Sequence, residues 1–230
     1  MDIVLVHGNY HGAWCWDLLR PELERLGHRV FAMDLPISEP GRGTADYAQA
    51  IDDAIPGDSV PVVVGHSMGG LAIPLVAARR PVRKLIFLAA MLPLPGQSLN
   101  EQRASEPLDG PTPPATAEWT DLGGGVWMVG PNTATELFFP DASPECARWA
   151  VEHLRPQWYG VLDEPTPLGA WPDVECRSIV CRDDRALNPD WVRTAARVRL
   201  GTEAVEIDGG HSPHLSRPAE LAALLDSLVR

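Results

Sequence analysis

An apolar β run that stops at a serine between two glycines constrains this chain more than any other feature. Val62-Val63-Val64 is short and β-branched, the pattern of a strand buried in a parallel sheet. Gly65-His66-Ser67-Met68-Gly69 follows at once and fits G-x-S-x-G, a sharp strand-to-helix turn that holds a serine Oγ proud of a sheet. A side chain at either glycine would collide with the neighbouring strand and helix in so tight a turn. Leu71, Leu75 and Ala78 then recur at helical spacing, so strand, turn and helix come in the required order. The pentapeptide alone is a weak signal, because a Gly-rich loop without chemistry can match it. The flanking order is what discriminates.

A chain of 230 residues suits one α/β domain with a modest insertion. The formal net charge of −12 argues against nucleic acid and anionic membrane surfaces as partners. No apolar run approaches the ~20 residues of a transmembrane helix. No signal peptide is expected, since Asp2 is acidic and Ile3-Val4-Leu5-Val6 already reads as a core strand. Cys15, Cys146, Cys176 and Cys181 show neither CxxC pairing nor metal-ligand spacing. They read as buried structural thiols in a reducing cytoplasm, and no metal or cofactor is expected.

The N-terminal stretch alternates strands near 2–6, 29–33, 61–64 and 84–89 with helices near 14–26, 44–55 and 68–79, which implies a parallel, doubly wound sheet. Composition changes between about 93 and 175, where 13 of the 23 prolines and five of the eight tryptophans fall. That density of large apolar side chains predicts an inserted cap rather than a flexible linker, so the scaffold is 1–92 with 176–230 and the cap is 93–175. Ser143-Pro144-Glu145 predicts a capped helix to about Leu154. The scaffold resumes with a strand over 177–181, a helix opened by Asn188-Pro189, a strand over 204–207 and a last amphipathic helix from Pro218.

A serine nucleophile needs a base within reach and an acid to orient it, and in open parallel sheets such groups gather past the C-terminal strand ends. Two segments qualify, in the order Ser, Asp, His. Asp183 and Asp184 follow the strand 177–181, and one of them is the candidate acid while the other belongs to a charged loop with Arg182 and Arg185. Gly209-Gly210-His211 follows the strand 204–207, which makes His211 the candidate base and His214 its competitor. His7, His11, His28, His66 and His153 fit structural roles, with His7 and His11 near the site. Two backbone N–H groups complete the set, Met68 after the nucleophile and Asn9 in the loop after the first strand.

Val6-His7-Gly8, His11-Gly12-Ala13-Trp14, Trp16, Gly27-His28, Asp34-Leu35, Gly65-His66-Ser67-Met68-Gly69-Gly70 and Gly210-His211-Ser212-Pro213 together resemble the α/β-hydrolase superfamily. The chain is similar to its small branch of plant methylesterases, hydroxynitrile lyases and related bacterial esterases. The resemblance covers about two-thirds of the chain, both halves of the scaffold. It implies an α/β-hydrolase fold, an about six-stranded, mostly parallel sheet flanked by helices with a small cap before the acid-bearing strand. It also implies Ser67, Asp184 and His211 as a triad, with Asp184 preferred to Asp183 from its place relative to Pro189, and Asn9 and Met68 as oxyanion donors. Hydroxynitrile lyases of this kind carry threonine or asparagine where Gly8 stands, and some carry lysine where Ser212 stands. Both departures favour ester hydrolysis.

The expected function is hydrolysis of small to medium carboxylic esters through an acyl-enzyme. The aromatic cap points to an apolar or aromatic substrate, with Tyr10, His11, Trp119 and Trp127 as candidate contacts. A lyase or cyclase using the triad as a proton relay is the alternative, and a non-catalytic ligand-binding protein on the same scaffold is a third.

Overall fold

The computed structural model describes residues 1–110 and 117–230. Pro111, Pro113 and Pro114 of the proline-rich stretch therefore lie outside the described residues. Strands β1 (Asp2–Val6), β2 (Arg29–Ala32), β3 (Val62–His66) and β4 (Lys84–Leu88) precede the inserted stretch. Within it come β5 (Trp119–Gly123), β6 (Val126–Val129) and β7 (Gln157–Trp158), and after it β8 (Cys176–Cys181) and β9 (Val205–Ile207). Six of these strands form one sheet in the order β2-β1-β3-β4-β8-β9, with every neighbouring pair parallel.

The sheet is covered on both faces, and that explains why its central strands read as unbroken apolar runs. Successive side chains point to opposite faces. Val4, Val63, Leu85 and Phe87 pack against Tyr47 and Ile51 of α2 (Thr44–Ala54) and Ile73 and Val76 of α3 (Ile73–Ala77). Ile3, Leu5, Val62, Val64 and Ile86 pack on the other side against Leu19 and Leu23 of α1 (Leu19–Arg25) and Leu221 and Leu225 of the C-terminal helix over Pro218–Val229.

The expected helices 14–26 and 68–79 are both broken, for one reason. Each pattern contains a proline, whose ring collides with the carbonyl four residues back. Before Pro21 the chain makes only a 3₁₀ turn, Ala13–Trp16, and the α-helix starts at Leu19. Before Pro74 it makes a 3₁₀ turn, Ser67–Leu71, and the α-helix starts at Ile73.

The stretch 93–175 holds more regular structure than its sequence predicts. Its strands form a small antiparallel sheet, β5-β6-β7. Its helices are α4 (Leu99–Ser105), α5 (Pro131–Phe138) and α6 (Pro144–His153). Ser143 Oγ accepts from Cys146 N at 3.2 Å, the cap that the Ser-Pro-Glu signal predicts. Val129, Ala134, Phe139, Ala147 and Ala150 make a local core, to which Tyr10 and Leu215 of the scaffold contribute.

Helix α7 (Pro189–Ala195) runs into a π turn, Ala196–Leu200, that carries Arg199. The buried Arg199 guanidinium donates to Leu92 O, to Gln102 Oε1 at 2.9 Å and to Glu106 Oε1 at 2.6 Å, tying α4 to the scaffold. Two further helices, α8 (Pro213–Ser216) and α9 (Pro218–Val229), close the chain. No helix among the described residues is long and apolar enough to cross a membrane.

Candidate active site

Ser67 follows β3 directly, with φ 53. Such a left-handed conformation costs a non-glycine residue about 1–3 kcal/mol and persists only where its surroundings enforce it. The motif glycines supply room rather than unusual dihedrals. A Cβ on Gly69 would lie 2.8 Å from His7 O, and one on Gly65 would lie 3.0 Å from the Gly69 backbone. The elbow thus packs its own backbone against the end of β1.

Asp184 and His211 come from the loops after β8 and β9. Asp184 is 4% exposed and His211 2%. His211 Nδ1–H donates to Asp184 Oδ2 at 2.8 Å, while Asp184 Oδ1 accepts from Ala186 N at 2.8 Å and Leu187 N at 2.9 Å. Both carboxylate oxygens are engaged, and the tautomer leaves His211 Nε2 with its lone pair. Asp183 is exposed, and among the described residues the imidazole bonds to Asp184 instead. Ser67 and His211 line one cavity, although among the described residues they make no hydrogen bond to each other. Catalytic contacts of this kind are often loose without substrate.

Three neutral histidines orient backbone groups around these side chains. Leu35 N donates to His7 Nε2 at 2.9 Å, which puts the proton on Nδ1, and Nδ1–H donates to Gly8 O at 2.9 Å. That carbonyl shares a planar peptide with the Asn9 N–H, so fixing one fixes the other. His11 Nδ1–H donates to Asn9 O at 2.6 Å, and its ring stacks on Trp14 with centroids 5.4 Å apart. His66 Nε2–H donates to His211 O at 2.9 Å and holds the backbone of the candidate base. Burial keeps these rings neutral, pushing His7 down to about 4, His11 to about 3 and His66 well below the ordinary value. His214 is also fully buried and pushed down by burial, packing on Trp16 and His66 rather than facing the cavity.

The cavity has a volume of about 240 Å³. Asn9, Tyr10, His11, Ser67 and His211 form its floor, and Trp119, Leu137, Phe138 and Tyr159 of the inserted stretch form its walls. Arg103, Asp109 and the exposed Arg185 also line it. Trp127, expected in the pocket, stands behind Tyr159 with ring centroids 6.3 Å apart and lines no part of the cavity. Phe138 and Tyr159 were not among the expected contacts. The Phe138-Phe139 pair ahead of Pro140, and Tyr159 after Trp158, are the aromatic signals that mark them. The four cysteines are free; Cys15 and Cys181 are buried as expected, whereas Cys146 and Cys176 are only half-buried, and burial raises each thiol. No cluster of metal-ligating side chains occurs among the described residues.

The sequence model of the alpha/beta hydrolase family matches residues 3–224. Methylesterase 3 of Arabidopsis thaliana is 30% identical over 250 residues, covering 97% of this chain and 94% of that protein. Probable esterase PIR7A of Oryza sativa subsp. indica is 31% identical over 258 residues, covering 96% of this chain and 94% of that protein. Among solved structures, polyneuridine aldehyde esterase superposes with a TM-score of 0.83 at 25% identity, over 100% of this chain and 99% of that one.

Proposed function

The chain belongs to the alpha/beta hydrolase family, and from that premise we propose that it hydrolyses small carboxylic esters with Ser67 as nucleophile, His211 as general base and acid, and Asp184 as the orienting carboxylate. The observation that carries this reading is the buried 2.8 Å Asp184–His211 hydrogen bond beside a serine held at positive φ in the same cavity.

Each group has one task. Ser67 Oγ attacks the ester carbonyl carbon while His211 Nε2 takes its proton. Asp184 stabilises the imidazolium without becoming protonated itself. The oxyanion accepts from the Asn9 and Met68 N–H groups. Asn9 N has no acceptor among the described residues, and Met68 is the second residue of a helical turn, where an N–H lacks an intrahelical partner. Each such donor contributes about 3–4 kcal/mol to lowering the barrier. His211 then protonates the leaving alcohol, and water, deprotonated by the same nitrogen, cleaves the acyl-enzyme.

Relatives named for esterase activity support this chemistry, as does the absence of a side chain at position 8. The cavity lies below the ~300–1,000 Å³ usual for drug-sized ligands, which favours a small, largely apolar ester. The test is labelling by a fluorophosphonate together with hydrolysis of p-nitrophenyl acetate, in the wild type and in Ser67→Ala. Labelling and turnover that both vanish in the variant support the proposal. Labelling without hydrolysis of any ester would leave a proton-relay enzyme as the better reading.

A further inference from the structure

The cavity is apolar along most of its walls, yet two phenols meet inside it. Tyr10 Oη and Tyr159 Oη are hydrogen-bonded to each other. Tyr10 sits next to the oxyanion loop and Tyr159 follows the last strand of the cap sheet, so the pair bridges scaffold and insertion across the substrate space.

A count of protons shows what this pair lacks. Each phenol has one O–H to donate. Whichever way the shared bond points, it uses one proton, and neither hydroxyl makes another hydrogen bond to the described residues. One phenolic proton is therefore left over, available to whatever occupies the cavity. Trp119 lines the same cavity beside the two phenols. Its indole nitrogen only donates, so it does not relieve the surplus. Burial raises both phenols above their ordinary range, Tyr10 more strongly, so both remain protonated donors throughout the working pH range.

Tyr10 is also held where a tyrosine does not rest by preference. Its φ is 62, and Arg155 N donates to its carbonyl at 2.7 Å. The strained backbone and the phenol contact together fix the hydroxyl inside the cavity instead of letting it turn to solvent, and Tyr10 is only 2% exposed.

We propose that the Tyr10–Tyr159 hydroxyl pair is a donor subsite for a second acceptor oxygen of the substrate, a ketone, ether or hydroxyl oxygen carried by the ester besides its reacting carbonyl. This inference rests on the ester-hydrolase reading above and narrows its substrate class from plain alkyl esters to oxygenated ones. A plain alkyl chain leaves the spare O–H unpaired, whereas an oxygen at that point accepts it. A site built to hydrogen-bond a substrate oxygen discriminates against the analogue lacking it.

The test uses matched esters of equal length. Methyl 4-oxopentanoate is compared with methyl pentanoate for an acceptor on the acyl side, and 2-methoxyethyl acetate with butyl acetate for one on the alcohol side. In the wild type one oxygenated ester should be preferred by about tenfold in kcat/KM, and the ratio should fall toward one in the double variant Tyr10→Phe/Tyr159→Phe, because either single variant still leaves one unpaired phenolic O–H. The same pairs are titrated into Ser67→Ala by tryptophan fluorescence, with and without Tyr10→Phe and Tyr159→Phe together, so that affinity is read without turnover. Equal Kd values within both pairs, or a preference unchanged by removing both phenols, overturn the subsite. A preference seen in binding while the wild type hydrolyses none of the esters upholds the subsite and overturns the hydrolase reading instead.

Discussion

Replacing Gly8 by alanine isolates the packing that holds Ser67, the proposed nucleophile. A Cβ at position 8 would lie 2.6 Å from Ser67 Cβ and 3.2 Å from both Ser67 Oγ and His66 O. Carbon atoms prefer about 3.5–4.0 Å, so one side must give way by roughly 1 Å. Neither side is the tip of a flexible chain. Ser67 Cβ is one bond from a backbone already at φ 53, and Gly8 O is held by His7. A misplacement of about 1 Å at a reacting group costs about 100-fold, equivalent to about 2.7 kcal/mol of barrier. Overpacking adds a stability loss of about 1–3 kcal/mol, which leaves most of a domain this size folded. Gly8→Ala should therefore melt cooperatively, label slowly with fluorophosphonate and hydrolyse p-nitrophenyl acetate with kcat/KM reduced about 100-fold. A folded variant within about threefold of the wild type would refute the claim that this contact sets the serine's position.

Asp184→Asn should lower kcat by about 10³–10⁴-fold, while Asp183→Asn changes it by less than about threefold; equal effects in steady-state assays would reject the assignment of the acid. The buried neutral histidines predict acid sensitivity, because the unfolded chain binds protons first. Stability is complete above the unfolded histidine value of about 6.5 and falls as pH drops toward about 4 for His7 and about 3 for His11, by up to about 1.4 kcal/mol per pH unit for each such group. Urea midpoints that do not move between about pH 7 and pH 5 would contradict this. Arg199→Met leaves the partly exposed Glu106 carboxylate with only the Trp191 indole as donor, at 2.6 Å, and should lower unfolding free energy by about 1–2 kcal/mol, read from urea denaturation.

The scaffold was legible in the sequence because its signals are local and redundant. Val62–Val64, a glycine-flanked serine and the Asp and His loops after later strands each point to the same parallel sheet. The apolar spacing over 14–26 and 68–79 overstates both helices, because Pro21 and Pro74 each break a helix whatever the spacing. The inserted stretch was harder. Its β5–β6 hairpin has a largely exposed first strand, so the two-residue alternation that marks a half-buried strand is missing. Trp127 shows the limit for the pocket. Composition can say that aromatic residues gather there, but whether one faces the cavity or the back of Tyr159 depends on tertiary register.

The three non-glycine residues at positive φ show how the site is kept in place. Ser67 O accepts from Met91 N at 3.0 Å, Tyr10 O accepts from Arg155 N at 2.7 Å, and Ala89 N donates to Ile179 O at 2.8 Å. Each strained residue is thus held by a backbone bond to another segment, two of them across the sheet or its edge and one from the stretch after α6. Strain of about 1–3 kcal/mol per residue survives only when such bonds over-determine the conformation. The Arg155 bond matters most for function, because it makes the loop bearing Asn9 and Tyr10 depend on how the inserted stretch is docked. Arg199 contributes to that docking from the opposite side, through α4 and Glu106. Loosening the stretch 93–175 would therefore disturb the proposed oxyanion donor Asn9 as well as the pocket walls, so in the proposed mechanism substrate fit and transition-state stabilisation share one structural support.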